Sequence, residues 1–257
     1  MKYYKEKLVK LPAKGKAMII TDIHGNLEDY HKYMEIWNDF KNKDNHLILT
    51  GDYIHGFGDK DKSVEILESV KWSFEHVPNF HVTLGNHELA HVANINVVKG
   101  GHNQKEEFEQ LILNKYDENC YLKLQQYKKF FKKLPISIKT ANGAFISHSG
   151  PSRYIKSSHD LENILNDGYV GNPILSEMLW SRYGDYNLQD VDSFLEAVGC
   201  KIYIVGHTPV RGVKKIGKKQ MIVSSSYGYG PKAYLELDLE KKLETVDDLD
   251  DMVRFLD

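Results

Sequence analysis

The sequence predicts an α/β fold of layered, mixed β-sheets flanked by helices, with a helical cap inserted into it. Three observations carry that expectation. Short apolar runs rich in branched residues recur along the chain, as buried strands do. Between the first three runs the apolar residues take up helical spacing, so the first half reads strand, helix, strand, helix, strand, the order of crossover connections over a sheet. Between the third and fourth runs lies a segment of helical periodicity too long for a simple connection.

The runs are Ala17 to Thr21, His46 to Thr50, Phe80 to Leu84, Ala144 to Ser147, Ile202 to Val205, Met221 to Ser224 and Ala233 to Leu237. Leu27, Tyr30, Met34, Trp37 and Phe40 keep the period of an amphipathic helix, and Val64, Leu67, Val70, Phe74 and Val77 do so again. Residues 89–142 contain the helical stretch Lys105 to Lys133. With no composition shift, low-complexity tract or repeat to mark a second domain, they read as a cap within one domain spanning residues 1–257. The strands from Met221 onward, on either side of the Gly228-Tyr229-Gly230-Pro231 turn, are expected to be antiparallel. Lys128-Lys129, Lys132-Lys133 and the acidic run Asp247 to Asp251 read as solvated faces, and Lys214 to Lys219 as a charged hairpin turn.

Composition excludes several function classes. At 257 residues and 41% hydrophobic content the chain can bury a sizeable core. Its 34 basic and 36 acidic residues leave a net charge of -2, which argues against a broad nucleic-acid footprint. No apolar stretch is long enough to span a bilayer, and Met1 to Lys10 lack the apolar run of a signal peptide, so the expected compartment is the cytoplasm, with no membrane partner. Cys120 and Cys200 read as two buried thiols. No motif describes a subunit interface.

Histidine stands out at 12 residues, against 10 phenylalanines, and its placement explains why. Five of the predicted strands are followed at once by polar clusters: Asp22-Ile23-His24-Gly25-Asn26, Gly51-Asp52-Tyr53-Ile54-His55-Gly56, Gly85-Asn86-His87-Glu88, Ser147-His148-Ser149-Gly150 and Gly206-His207-Thr208-Pro209. The carboxyl ends of strands are where α/β sheets bind ligands. Asp, His and Asn suit a borderline divalent metal, and a carboxylate has lone pairs enough to bridge two ions. Taken singly, each cluster is more simply a helix cap or a turn. Five in order point to a metal site.

In order and spacing these blocks resemble the calcineurin-like metallophosphoesterases, and within them the PPP-type phosphatases. Their pattern is Asp-x-His, Gly-Asp-x-x-Asp-Arg-Gly, Gly-Asn-His-Glu, a strand-end His and a later Gly-His. Leu179-Trp180-Ser181-Arg182 is similar to a further block of that group, and Val205-Gly206-His207-Thr208-Pro209-Val210 to the form found in bacterial members, including symmetrical diadenosine tetraphosphatases. The resemblance implies a metallophosphoesterase-type layered sandwich. It also implies two divalent cations, manganese first, with iron, zinc, nickel or magnesium as alternatives. Asp22, His24 and Asp52 would hold one ion, and Asp52, Asn86, His148 and His207 the other, with Asp52 as the bridge. Metal-bound hydroxide would then attack phosphorus directly, and His87 would be the candidate acid for the departing oxygen. Thr208-Pro209 leaves no second histidine of the Gly-His-x-His kind, which favours monoesters over the phosphodiesterase alternative.

The chain departs from the pattern in two places. His55 stands where the protein phosphatases carry the Asp that orients their catalytic histidine, and Gly56 where they carry a phosphate-gripping arginine. His55 is open to three roles: a neutral acceptor for His87, a phosphate contact, or an ordinary turn residue. Arg182 is the expected phosphate-binding residue, with Arg153 and Arg211 as alternatives. Glu88 is expected to orient a ligand or cap a helix, and His91 and His102 are left outside the site. The expected function is hydrolysis of a phosphate monoester, on a phosphoprotein or a small phosphometabolite. Symmetrical dinucleoside tetraphosphate hydrolysis is the nearest alternative. A non-catalytic metal-binding scaffold is a third reading, although no ligand position is lost.

Overall fold

The computed structural model describes residues 4, 5, 7–226 and 230–256. Its strands and helices follow in chain order. The N-terminal half holds β1 (Tyr4–Lys5), β2 (Leu8–Leu11), β3 (Lys16–Ile20), α1 (Leu27–Phe40), β4 (His46–Leu49), α2 (Ser63–His76), β5 (Phe80–Val82) and α3 (Asn86–Ala93). The excursion follows, with β6 (Val98–Lys99), β7 (His102–Asn103), α4 (Gln104–Tyr116) and α5 (Cys120–Phe131). The rest comprises β8 (Ser137–Thr140), β9 (Ala144–Ser147), α6 (Ser158–Glu162), α7 (Pro173–Trp180), α8 (Leu188–Val198), β10 (Ile202–Val205), β11 (Val213–Ile216), β12 (Gln220–Val223), β13 (Lys232–Asp238) and β14 (Val253–Leu256).

Two mixed sheets form the layers, one ordered β1-β2-β8-β9-β10-β12-β11 and the other β14-β13-β3-β4-β5. Strands β3, β4 and β5 run parallel, as the crossovers α1 and α2 demand, while β13 and β14 join that sheet antiparallel. In the other sheet β9 and β10 are parallel. Period-two alternation explains how the layers stack. Ala17, Ile19, Ile146, Ile204, Val223 and Leu235 share one apolar cluster with residues of both sheets. Met18, Ile20, Phe145, Tyr203 and Ile222, their neighbours in sequence, belong to a second cluster with the helices. Phe145, for example, meets Phe194 of α8 edge to face, with ring centroids 5.0 Å apart.

The sequence reading is corrected at four points. Helical periodicity over 105–133 breaks at Asp117, whose φ of 46° cannot continue a helix, so two helices form. The segment 89–142 also takes in the end of α3, the β6–β7 hairpin and β8, a strand of the larger sheet, so the inserted helices α4 and α5 occupy only 104–131 of it. Strands β12 and β13 do not pair with each other; they lie in different sheets, and Tyr227 to Tyr229 of the intervening turn fall outside the described residues. Cys200 is buried, but Cys120 at the start of α5 is only half-buried. The lysine-rich turn does form a hairpin, with β11 paired antiparallel to β12.

Two histidines pack into the β4–β5 pairing: His46 Nδ1 lies 3.0 Å from His81 Nε2, and both rings are buried. Burial lowers His46 to about 4, and burial followed by the repulsion of His46 lowers His81 to about 3. Both folded values lie below the unfolded value of about 6.5. The neutral pair therefore contributes its full stability above that pH and loses it as pH falls toward the folded values. We expect His81→Leu to flatten the acid limb of stability between about pH 6.5 and 4 by on the order of 2 kcal/mol, read from denaturant unfolding at stepped pH. An unchanged pH dependence would count against the pair.

Candidate metal centre

Strands β3, β4 and β5 of one sheet and β9 and β10 of the other end at the same place, so ligand-bearing loops from both layers converge. Four non-glycine residues there adopt left-handed backbone: His24 at φ 47°, Asp52 at 57°, His55 at 66° and His207 at 61°. Each such residue stores on the order of 1–3 kcal/mol, and such strain clusters where side-chain direction matters more than local comfort. Glu88 on α3 holds the Asp52 turn in place. Its two oxygens accept the amides of Gly85, Asp52, Tyr53 and Ile54 at 3.1, 2.9, 3.0 and 3.4 Å. Gly85 is required by this closeness, since a Cβ on it would overlap Asp52 Oδ1.

Asp52 Oδ2 is the centre of the arrangement, 3.4 Å from His148 Nε2, 3.6 Å from His24 Nε2 and 3.8 Å from His87 Nε2. Asp22, Asp52, His148 and His207 bring potential ligand atoms within 4.8 Å of one another, and so do His24, Asp52 and His87. Asp52 belongs to both groups.

Three imidazoles have one nitrogen fixed by a backbone carbonyl. His24 Nδ1 faces Ile54 O at 3.2 Å, His148 Nδ1 faces Thr50 O at 3.1 Å, and His207 Nε2 faces Trp180 O at 3.1 Å. A carbonyl only accepts, so each of those nitrogens carries the proton and the opposite nitrogen turns a lone pair into the site. Asp22 is arranged in the same way. Its Oδ2 accepts the His207 amide at 2.9 Å, while Oδ1 is buried without a hydrogen-bond partner.

The Asn86 side-chain oxygen completes the set. It lies 3.2 and 3.1 Å from the Asp52 carboxylate oxygens, 3.1 Å from His207 Nδ1 and 2.9 Å from His148 Nε2. Rotating the amide would satisfy these acceptors with an N–H2. The oxygen-in orientation fits better, because every surrounding atom is a lone-pair donor held by its own clamp. Acceptors converging from four loops with nothing between them to donate are what a divalent cation needs.

The electrostatics point the same way. Burial alone would raise Asp52, but His148 and His87 override it and hold the carboxyl well below its ordinary range. Burial would lower His148, yet the charge and hydrogen bond of Asp52, with Asp22 and Glu88, raise it to about 9. His207 is held well below its usual value, by burial first and then by His148. The cluster therefore favours positive charge at its centre.

Comparison with known proteins agrees with this geometry. The profile of the calcineurin-like phosphoesterases matches residues 15–211. The chain belongs to that family. A probable serine/threonine-protein phosphatase of Encephalitozoon cuniculi is 27% identical over 255 residues, covering 91% of this chain and 52% of the relative. A serine/threonine-protein phosphatase of Caenorhabditis elegans is 25% identical over 168 residues, covering 65% and 34%. The chain thus spans about half the length of the first relative and a third of the second. Among solved structures, a Saccharomyces cerevisiae serine/threonine phosphatase described as similar to human PP5 superposes with a TM-score of 0.73 at 18% identity, covering 98% of this chain and 84% of that one. A cold-active protein tyrosine phosphatase gives 0.63 at 17%, covering 92% and 80%. These structures share the fold. Phosphoesterases of this family use divalent metals, and this chain carries a buried Asp/His cluster of the matching kind.

The cluster opens into a cleft of about 350 Å³ lined by His24, Asp52, Asn86, His87, Arg182 and Lys99, among others. Arg182 is the expected arginine, and only its backbone amide, not its guanidinium, goes to Asp185. Arg153 is bound on the exterior to Glu177 at 2.9 Å, and neither it nor Arg211 lines the cleft. Lys99, on the β6–β7 hairpin, escaped the sequence reading because no motif surrounds it. Its ammonium stands 4.7 Å from the Phe57 ring centroid, and its pKa is lowered, by burial first and then by Arg182.

At Gly56 the structure explains the missing arginine, because a Cβ would lie 2.8 Å from Asp61 Oδ1 and 2.9 Å from the His24 carbonyl. The loop has closed over the space a side chain would use. His55 is buried outside the cleft with its Nδ1 2.6 Å from His87 Nδ1. His102 is exposed and paired with Glu107 at 2.7 Å, whereas His91 is buried and joined to His55.

Because four amide donors converge on Glu88, replacing one of its oxygens with an N–H2 sets donor against donor. Glu88→Gln is expected to destabilise the metal-free chain by about 1–3 kcal/mol, seen as a lower urea midpoint at unchanged slope. An unchanged midpoint would remove Glu88 as the support of the Asp52 turn.

Proposed function

We propose that this chain is a two-metal phosphomonoesterase acting on phosphorylated serine or threonine side chains. The observation that supports it best is the set of carbonyl-clamped imidazoles turned toward one carboxylate, with two cationic side chains at the mouth of the same cleft. Asp22, His24 and Asp52 would hold one ion and Asp52, Asn86, His148 and His207 the other. Manganese is the ion we assign first, and the cytoplasm the compartment. When bound, such a pair supplies Lewis acidity toward the phosphoryl oxygens and an activated water as nucleophile.

The chain's own residues do the rest. Asp52 fixes the separation of the two half-sites, and the carbonyls of Ile54, Thr50 and Trp180 keep each imidazole in the ligating tautomer. Arg182 and Lys99 bind the outer phosphoryl oxygens, Lys99 supplying from the excursion the charge that Gly56 no longer supplies. His87 faces the cleft and gives its proton to the departing oxygen. The serine/threonine preference rests on the two relatives bearing that name. The Trp180-Ser181-Arg182 block keeps dinucleoside tetraphosphate hydrolysis as the second reading.

The test is turnover of p-nitrophenyl phosphate against its bis-ester by metal-stripped protein restored with manganese, followed by phosphoseryl peptides and diadenosine tetraphosphate. We expect the monoester and the peptide to be preferred; preference for the diester or the dinucleotide would overturn the assignment. Arg182→Ala should lower kcat/KM roughly 10- to 1000-fold, about 1.4 to 4 kcal/mol of transition-state binding. Lys99→Ala should lower it at least about tenfold on the same scale. An effect below threefold in either variant would remove that residue from phosphate binding.

A further inference from the structure

Behind His87, on the side away from the cleft, lies a line of buried polar groups that the proposed reaction does not use. His87 Nδ1 is 2.6 Å from His55 Nδ1, and His55 Nε2 is 2.8 Å from His91 Nε2. His91 Nδ1 has no hydrogen-bond partner and stands 3.7 Å from Glu109 Oε1, a charge contact slightly beyond hydrogen-bond length. Glu109 is in turn held 3.2 Å from Lys105 Nζ. The line thus runs from the cleft, through two buried imidazoles, to a carboxylate on α4.

Phe108 closes this line off. Its ring meets His55 and His91 edge to face at 5.7 and 5.0 Å, with Phe131 beside His91 at 6.3 Å. Gln104 lies against the His55 carbonyl at 3.4 Å. Gln104, Lys105, Phe108, Glu109 and Ile112 fall at the three- and four-residue spacing of one helix face. The face α4 turns inward is therefore laid over the histidine line.

We infer that Glu109, acting through His91 and His55, fixes the ring orientation and tautomer of His87. The inference rests on the proposed role of His87. The polarity follows from counting protons. Each neutral imidazole has one N–H and one lone pair, so a row of three can be protonated in only two consistent senses. A carboxylate at the far end selects one of them. His91 directs Nδ1–H toward Glu109 and accepts at Nε2, His55 donates from Nε2 and accepts at Nδ1, and His87 donates from Nδ1. His87 Nε2 is then turned to the cleft, so the proton it gives to the departing oxygen is a second one, carried there by the cationic ring, which is left as the Nδ1–H tautomer. The same logic governs the buried Asp of a catalytic triad, which works by holding a histidine in the right tautomer.

The surroundings support one proton on each of the two rings behind His87. Burial is the first cause that lowers both His55 and His91, and the contact with His91 lowers Glu109 to about 2, keeping it a carboxylate. His55, His91 and Glu109 are positioning residues, none of them lining the cleft.

The test compares the manganese-loaded full chain with Glu109→Gln, which keeps shape and removes charge at a half-buried position, and with His91→Leu. Substrates are phenyl phosphate, whose leaving group needs a proton, and 2,4-dinitrophenyl phosphate, whose leaving group does not. Because general acid assistance is worth about 10²- to 10⁴-fold, we expect both variants to lose at least about tenfold in kcat on phenyl phosphate and less than about threefold on the dinitrophenyl ester. In a His55→Asp background, where a carboxylate again adjoins His87, Glu109→Gln should have no further effect. Two-bond ¹H–¹⁵N spectra of the zinc-loaded protein should show His55 protonated at Nε2 and unprotonated at Nδ1, a pattern lost in Glu109→Gln.

Equal losses on both esters, or a His55 pattern untouched by Glu109→Gln, would overturn the inference. Should His87→Ala itself fail to discriminate between the esters, the role of His87 would be wrong. Absence of monoester turnover by the parent chain would instead refute the proposed function.

Discussion

The structure depends on one carboxylate held where a carboxylate does not want to be. Asp52 is buried, sits on left-handed backbone and is surrounded by imidazole nitrogens from three other loops. Without compensation a charge so placed would neutralise itself. Much of the surrounding architecture can be understood as that compensation: Glu88 pins the turn, Gly85 leaves room for the carboxylate, and the imidazoles of His148 and His87 hold its pKa down against burial. The two sheets are stacked so that their strand ends meet at this point, and the apolar residues between them make that meeting rigid.

A consequence is that ligand geometry is set by backbone rather than by side-chain packing alone. The carbonyls of Ile54, Thr50 and Trp180 each select one tautomer, and each belongs to a segment whose path is fixed by the fold. The Leu179-Trp180-Ser181-Arg182 block accordingly serves two purposes within four residues. Trp180 orients His207 through its carbonyl, and Arg182 reaches the cleft. The excursion between β5 and β8 likewise contributes more than cover, because its hairpin brings Lys99 to the cleft and α4 lies over the histidines behind His87.

Much of this was legible in the sequence, for a physical reason. Buried strands need branched apolar runs, and ligand chemistry needs Asp, His and Asn at strand ends, so α1, α2, β9 and β10 and the convergence at Asp52 could be read from residue type and order. Strands β2 and β11 were not read, because lysines interrupt the apolar run of each, Lys10 in β2 and Lys214 and Lys215 in the edge strand β11. The assignment of strands to two sheets was equally hidden, since the turn after β12 reads the same whether the chain pairs back or crosses over. Lys99 and His91 escaped for another reason. Their importance comes from what lies opposite them in space, and neither sits within a recognisable motif. Gly56 was legible as a departure, but the closed loop behind it, packed against Asp61, was not.

The claim on which the rest stands is that Asp52 joins two cation sites. Manganese titration of the full chain, followed by electron paramagnetic resonance, tests it most directly. Two bound equivalents with the multiline spectrum of an exchange-coupled pair are predicted, collapsing to uncoupled ions or none in Asp52→Asn. A single equivalent with an isolated-ion spectrum, or a coupled spectrum that survives Asp52→Asn, would contradict the account.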